Sequence, residues 1–431
     1  MNQRFYVKNV LFIVYYFPPM GSSGVQRPLK FIKYLREYGW NPIVIAPEPG
    51  AYHTFDKSLE EELFNMEVDV HRVKAFTPFH LAGRQQREIN FIPDWLAELS
   101  RGILSFFYLP DNKTGWIKPA LEVADALIKE HNIDLVFSTS PPPSNHLISA
   151  EISKKHGIAA VMDFRDDWLE YQSAMYPTRW HKRKNARIEK ATVNAASGVI
   201  ANNKATLDSI HSRTDPDKKK PFRTIYHGYD PEDFMEISQG KSKNQKFTIL
   251  HSGHFYQERQ PDILLNALSV LIDEGFLDKS DFELHFQGGL EPMHHKKIEK
   301  LGFTQNVADY GYVNHAEAVQ NLFKADILWF IIHHKNQSKT VTPGKMFEYI
   351  ATGKPILGLI EEGESRDILR TYKRGYFADP DDLKQVITTL KEIITGWRED
   401  TIPEANASLI KKHDRRMLTG ELAQFFDEIA G

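Results

Sequence analysis

The chain has 431 residues, with 54 Lys and Arg against 57 Asp and Glu and a formal net charge of −3. That length exceeds what one hydrophobic core serves, so two domains are expected, and 41% hydrophobic with 26% charged residues excludes a disordered chain. The near balance of charge gives no molecule-wide basic field for nucleic acid, and zero cysteines exclude disulfides, thiolate catalysis and thiolate metal sites.

The opening MNQRFYVKNVLFIVYYF has a short apolar run and no small-residue cleavage site after it, so it does not read as a signal peptide. No stretch reaches the roughly 18 apolar residues of a membrane span. These features lead us to expect a cytoplasmic protein, soluble or peripheral on the inner face of the cytoplasmic membrane.

Along the chain, Val10–Tyr16 reads as a buried parallel strand stopped by Pro18 and Pro19, and Val25–Tyr38 as a helix that tolerates Pro28 near its start. Strands are predicted at Pro42–Ala46, Asp134–Ser138, Ala159–Asp163, Gly198–Ala201 and Arg223–Tyr226, with helices at Ser144–His156 and Lys204–His211. The polar stretch from Met235 to Gln245 reads as a linker. The pattern then restarts. Strands are predicted at Phe247–His251, Phe282–Gln287, Ile327–Ile332 and Pro355–Leu359, and helices at Pro261–Asp273, Ala316–Ala325, Lys345–Thr352, Asp381–Thr395 and Ala405–Ile429. This is an α/β chain of two tandem doubly wound domains, and ligands in such sheets bind beyond the carboxyl ends of the strands.

The stretch YYFPPMGSSGVQRPLKF joins the first strand to the first helix. Gly21 and Gly24 in it serve either a turn needing positive φ or the approach of backbone N–H groups to an anion. The dinucleotide fingerprint GxGxxG and the P-loop pattern are both absent, which disfavours an NAD oxidoreductase. Arg27 and Lys30 add positive charge nearby, or form a solvated helix face.

Further stretches follow in order: LPDNKTGW, STSPPPSNHL, DFRDDW, IYHGYDPEDF, HSGHFYQERQPDILLNAL, FQGG, GYV and TPGKMFEYIATGKPIL. Together with YYFPPMGSSGVQRPLKFIKYLREYGWNPIVI they resemble the motifs of the retaining GT-B glycosyltransferases of family 4, over nearly the whole chain. The resemblance implies two Rossmann-like domains facing across a cleft, residues 1–238 on the acceptor side and 239–403 binding a nucleotide-sugar. It also implies a C-terminal helical segment, 404–431, returning toward the first domain. In that fold the glycine turn of Gly21 and Gly24 leaves room for the donor.

A departing nucleoside diphosphate needs fixed positive groups. The resemblance assigns Arg259 and Lys345 to the phosphates, with Gly253 and His254 in the donor turn, His254 standing where the family usually has Arg. The other reading of Arg259 and Lys345 is surface charge. Glu348, three residues after Lys345, would accept the ribose hydroxyls, or simply pair with Lys345 along the helix. Tyr312 and Val313 would face the nucleotide base. The family's EX7E pair is incomplete, since its first position falls at Thr340.

On the first domain the resemblance places Arg165 and Asp166 toward the transferred sugar and the acceptor, with N-capping by Asp166 or Asp167 as the alternative. Ser140 would touch the donor. His146 and Arg27 are candidate acceptor-side residues, His146 being equally readable as a packed core histidine. No metal and no other cofactor are expected. His294–His295 and His333–His334 are neighbours whose side chains diverge.

The expected partners are a UDP- or GDP-sugar donor and a glycan or lipid-linked acceptor, in surface polysaccharide biosynthesis, with no nucleic acid. Two features bear on a membrane. Ile92, Trp95, Leu96, Leu99, Ile103, Phe106 and Phe107 recur at helical spacing, as a core stripe or a membrane-facing one. Arg179, His181, Lys182, Arg183, Lys184 and Arg187 form a basic cluster, suited to lipid headgroups or to solvent. Two rivals remain at this stage: a nucleotide-sugar epimerase of the same fold, and a non-catalytic partner subunit.

Overall fold

In the computed structural model the described residues are 7–21, 23–50, 55–77, 102–170, 176–235, 244–255, 259–332 and 341–431. The chain divides into two compact units, Met1–Tyr226 with Arg415–Gly431, and His227–Asp414.

The first unit holds strands β1 (Lys8–Ile13), β2 (Trp40–Pro47), β3 (Asp69–Val73), β4 (Ile133–Ser140), β5 (Ala159–Phe164), β6 (Gly198–Ala201) and β7 (Phe222–Thr224). They form one parallel sheet in the order β3-β2-β1-β4-β5-β6-β7. Its helices are α1 (Ser23–Leu35), α2 (Lys57–Asn65), α3 (Ile117–Glu130), α4 (Ser144–His156), α5 (Arg179–Ala195) and α6 (Lys204–Arg213). The apolar run of β1 is explained by burial on both faces: Val10, Phe12 and Val14 enter one core cluster, Leu11, Ile13 and Tyr15 another.

The second unit holds β8 (Phe247–Ser252), β9 (Phe282–Gln287), β10 (Val307–Asp309), β11 (Ile327–Ile332), β12 (Ile356–Ile360) and β13 (Gly375–Ala378). These strands are also parallel, in the order β10-β9-β8-β11-β12-β13. Its helices are α7 (Asp262–Asp273), α8 (Pro292–Lys300), α9 (His315–Lys324), α10 (Gly344–Ala351), α11 (Glu364–Tyr372), α12 (Leu383–Glu399) and α13 (Ala407–Lys412). In each sheet the strand order reverses beside the first strand, at β1/β4 and at β8/β11, which is where doubly wound folds bind ligands.

The divisions at 226/227 and 414/415 differ from the 238/239 and 403/404 suggested by the sequence. Residues ahead of the polar stretch already pack on the second unit: His315 Nε2 lies 3.0 Å from Asp233, and the Phe234 ring 5.8 Å from Phe323. At the other end α13 stays with the second unit, the Asn406 N–H donating to the Tyr372 carbonyl at 3.0 Å. The last helix, α14 (Arg415–Ala430), lies on the first unit, where Leu418, Leu422, Phe425 and Phe426 complete the cluster of Val10, Phe12 and Phe137.

Of the linker residues, 236–243 lie outside the described residues, as do 78–101 and 333–340, which include the first part of the Ile92–Phe107 stripe, the His333–His334 pair and Thr340.

Candidate active site

The second unit brings three of the quoted stretches together at the carboxyl ends of β8 and β9. The Gly253 N–H donates to the Gln287 carbonyl at 2.7 Å, and the Gly288 N–H to the Gly311 carbonyl at 2.7 Å. So the turns of HSGH, FQGG and GYV are pinned to one another. Gly253 has φ 120° and Gly288 φ 121°, backbone that side chains other than glycine rarely adopt. A Cβ on Gly288 would stand 2.6 Å from the Gly253 carbonyl carbon.

A Cβ on Gly253 would stand 2.6 Å from Nζ of Lys345. The ammonium is thus laid against the bare Cα of the turn. Lys345 is the second residue of α10, whose first-turn N–H groups have no intrahelical acceptor and add partial positive charge. Tyr349 fixes this helix against the sheet: its Oη accepts the Ser252 N–H at 2.8 Å and lies 3.4 Å from the Trp329 carbonyl.

Burial and then the Arg259 guanidinium push the Lys345 ammonium down to about 8, with Glu348 pulling the other way. Among the described residues the ammonium has no hydrogen bond or ion pair. The Lys345 ammonium beside a bare glycine backbone, with Arg259 within electrostatic reach, is an arrangement that suits an anion.

Glu348 is half-buried and lies within electrostatic reach of Lys345. His254 is held below its ordinary range by burial of its ring and by Lys345, although the residue keeps exposed surface. His251 is buried, its Nδ1 donates to the Trp329 carbonyl at 3.1 Å, and burial and Lys345 hold it neutral. Tyr312 is exposed and Val313 half-buried in the loop after Gly311. His294 and His295 diverge as expected: His294 Nε2 meets Gln260 at 2.5 Å, while His295 Nε2 meets Asp309 at 3.2 Å. Among the described residues no group of three His, Asp or Glu is placed to hold a metal.

The first unit corrects several readings. Arg27 and Lys30 are not a solvated face. Lys30 is buried and pairs with Glu62 at 2.6 Å. Arg27 is buried with Asp163: Nε lies 3.0 Å from Oδ2 and Nη2 2.9 Å from Oδ1, while Nη1 donates to the Tyr226 carbonyl at 2.8 Å. The Thr139 hydroxyl adds a 2.7 Å bond to Asp163. Arg27 therefore ties α1 to β5 and to the segment after β7.

Gly24 lies inside α1, which begins at Ser23, so the glycine turn is shorter than expected and Gly21 alone precedes the helix among the two. Arg165 is buried. Its Nη1 donates to the Gly24 carbonyl, Nη2 to the Pro141 carbonyl at 2.5 Å, and Nε to the Ser140 carbonyl at 3.2 Å. It binds the loops after β4 and β5 to α1, rather than presenting its donors to solvent. Ser140 is buried with it. Asp166 is half-buried beside it and helps keep the guanidinium charged against burial.

No helix follows Asp166 or Asp167 directly among the described residues, and Asp167 instead ties a turn. Its Oδ1 accepts the N–H groups of Leu169 and Glu170 at 2.9 and 2.8 Å, and the Arg213 Nη2 at 2.9 Å. His146 is the core histidine of the two readings: fully buried, Nδ1 2.8 Å from the Ser138 hydroxyl, and its ring 4.4 Å from Phe164. Burial and Arg165 push its pKa down to about 3, so it is neutral.

The sequence reading quoted LPDNKTGW without giving its residues a role. Asp111 accepts the Lys113 N–H and the Ser144 N–H, each at 2.7 Å, and so caps α4. Burial raises the Asp111 carboxyl and lowers the Lys113 ammonium to about 7. The signal is the polar PDNK between apolar segments, which marks a loop with a buried purpose only once α4 is known to begin there. Asp163 was likewise legible only as the end of a strand.

Residues 26–233 match the model for "Glycosyltransferase Family 4" and residues 233–412 the model for "Glycosyl transferases group 1". No curated protein sequence matches the chain significantly. Among solved structures, the chain is similar to a glycosyltransferase from Rickettsia africae ESF-5, at 14% identity and TM-score 0.62, over 98% of each chain. It is similar to Anabaena Alr3699/HepE in complex with UDP-glucose, at 15% identity and TM-score 0.61, over 97% of this chain and 99% of that one. It also resembles WaaG, a glycosyltransferase involved in lipopolysaccharide biosynthesis, at 15% identity and TM-score 0.57, over 96% and 98%. With two α/β units of this topology, each bearing the motifs of its own model, the chain belongs to the group 1 glycosyltransferases of GT-B fold.

Proposed function

We propose that the protein is a retaining glycosyltransferase that moves a sugar from a UDP- or GDP-sugar to a hydroxyl of a glycan or lipid-linked acceptor, without a metal. The observation that carries this is the Lys345 ammonium lying on the bare backbone of Gly253, with Arg259 near enough to depress its pKa. When the bond from the anomeric carbon to the diphosphate oxygen breaks, negative charge grows on that oxygen. Fixed cations there stabilise it more in the transition state than in the ground state.

The acceptor oxygen then bonds to the anomeric carbon on the face the diphosphate leaves, and the departing phosphate takes the acceptor's proton. Glu348 would hold the ribose hydroxyls, and the Tyr312–Val313 loop the base. Arg165, Ser140, Arg27 and His146 act as positioning residues through the bonds described above, and Asp166 through its charge beside Arg165. The reading includes a role in surface polysaccharide biosynthesis, in the cytoplasm at the inner face of the membrane; its biosynthetic part is in keeping with the similarity to WaaG, a glycosyltransferase involved in lipopolysaccharide biosynthesis.

The test is a thermal-shift panel of UDP-, GDP- and ADP-sugars, followed by NMR of the anomeric product. One nucleotide class should raise the melting temperature by mass action, and Arg259→Ala or Lys345→Ala should abolish that rise and cut turnover about 100- to 1000-fold. Full turnover in Arg259→Ala, or an inverted anomer, would refute the mechanism. An epimerised sugar nucleotide formed without acceptor would favour the epimerase instead.

A further inference from the structure

The diverging pair His294–His295 does two tasks at the loop that follows β9. This loop runs from Gln287 through Gly288 and Gly289 into α8, and the Gln287 carbonyl pins it to the turn of Gly253. Two successive N–H groups of the loop are taken by different partners. The Leu290 N–H donates to Asp309 at 3.3 Å, and Asp309 also meets His295 Nε2 at 3.2 Å. The Glu291 N–H donates to His294 Nδ1 at 3.0 Å. Glu291 is the N-cap of α8 and His294 its third residue, the place from which a glutamate or glutamine ordinarily accepts this N–H.

A histidine there adds what a carboxylate cannot. Because Nδ1 accepts, the proton of the neutral ring sits on Nε2, and Nε2 donates to Gln260 Oε1 at 2.5 Å. His294 is buried, and burial with the neighbouring His295 holds it neutral against the pull of Glu291 and Asp262. Its ring lies 5.6 Å from that of Phe255, which stacks on His251 at 4.3 Å. One side chain thus touches the HSGHF turn, the entry to α8 and the residue that directly follows Arg259. Capping α8 needs the Nδ1 bond only. The bond to Gln260 has no part in it.

We propose that His294 is a positioning residue for the donor site: through Gln260 it holds the start of the segment Arg259–Pro261, so that the guanidinium stays beside Lys345. This rests on the donor reading above and adds the part that keeps the second cation in place. Arg259 stands three residues before α7, in none of the strands or helices named above, so an anchor on the next residue gives it a fixed place.

The test reads the site first without nucleotide and then with it. Trace acetylation of the full chain across pH, followed on the Lys345 peptide by mass spectrometry, gives the titration midpoint of that amine. His294→Asn keeps an acceptor near the place of Nδ1 and loses the reach to Gln260, and Gln260→Leu removes the bond from the other side. In both, Arg259 leaves its place and a repelling charge is removed, so the midpoint should rise from about 8 by at least about half a pH unit. In an Arg259→Ala background the same substitutions should raise it no further. Calorimetric binding of UDP and GDP should weaken at least about fivefold in both variants, for whichever nucleotide the unaltered chain takes. His294→Gln, whose amide carries an acceptor and a donor, should keep both values. A cooperative melt shows which variants are folded, and Gln260→Leu, at a half-buried position, carries the test if His294→Asn does not fold. A midpoint unmoved in the folded variants, a rise in His294→Asn alone, or a further rise on top of Arg259→Ala would overturn the proposal. If neither nucleotide binds the unaltered chain while the midpoint rises as expected, the donor reading fails and the anchoring of Arg259 stands.

Discussion

Arg165 donates to the carbonyl of Gly24, a carbonyl that Pro28 cannot serve. In an α-helix the N–H of residue i bonds the carbonyl of i−4, and proline has no N–H. The guanidinium fills that place from the end of β5, and its other donors hold the Ser140 and Pro141 carbonyls. A proline that reads as a local irregularity in α1 therefore fixes the attachment point of a side chain 141 residues away.

The two positions should be coupled. Arg165→Ala should destabilise the protein by about 2–4 kcal/mol, through buried carbonyls left unpaired. In a Pro28→Ala background the restored N–H can take the Gly24 carbonyl, and the loss should shrink by about 1 kcal/mol. A double-mutant cycle in urea reads this, and strict additivity would refute it.

Gly253→Ala places a methyl group where the Lys345 ammonium now lies and requires φ 120° of a side-chain-bearing residue. The backbone strain should cost about 1–3 kcal/mol. The ammonium can swing aside, but only by leaving the turn, so affinity for the responding sugar nucleotide should fall at least about tenfold. Calorimetric titration with that donor checks it, and unaltered affinity would remove Lys345 and Gly253 from the donor site.

Lys345 titrates near 8 in the free protein, so donor binding should be flat below about pH 7 and weaken by up to about tenfold per unit above 8. Bound diphosphate favours the charged amine, which is why the affinity carries the slope. For folding the sign is opposite. The native amine is lowered from 10.5 to about 8, the unfolded chain binds more protons between those values, and this group's contribution to stability rises with pH there. Lys345→Arg stays charged and should flatten the binding profile between pH 7 and 9.5, as measured by titration calorimetry. A profile unchanged by that substitution would assign the slope to another group.

Arg27 and Asp163 form a buried pair in which each partner compensates the other's desolvation. Arg27→Met alone, or Asp163→Leu alone, should cost about 3–5 kcal/mol by stranding a buried charge, and the double variant clearly less than the sum. Thermal unfolding of the three proteins measures this. Singles that cost under about 1 kcal/mol would mean that the charges are solvated after all.

The sequence was most informative where structure follows from local pattern. Gly198–Ala201, Phe282–Gln287, Ile327–Ile332 and Ser144–His156 form at the bounds read from apolar runs and helical spacing. β3 was missed because DVHRV is a polar edge strand, partly exposed, and such a strand carries little hydrophobic signal. α5 carries the basic cluster that the sequence offers either to lipid headgroups or as a solvated helix face, and its bounds escape the apolar pattern because its inward face is made by His181, Asn185, Glu189 and Thr192 as much as by Val193.

The sequence by itself determined the two α/β units, the glycine turns and the cations Arg259 and Lys345, because strand burial, backbone freedom and charge are properties of short windows. Only the tertiary structure decided which charges are buried in bonds within the first unit. Arg27 finds Asp163 across 136 residues, Arg165 finds Gly24 across 141, and α14 leaves its neighbours in sequence to complete the first core. Pairing and burial are settled by what packs opposite a side chain, and that neighbour lies far along the chain.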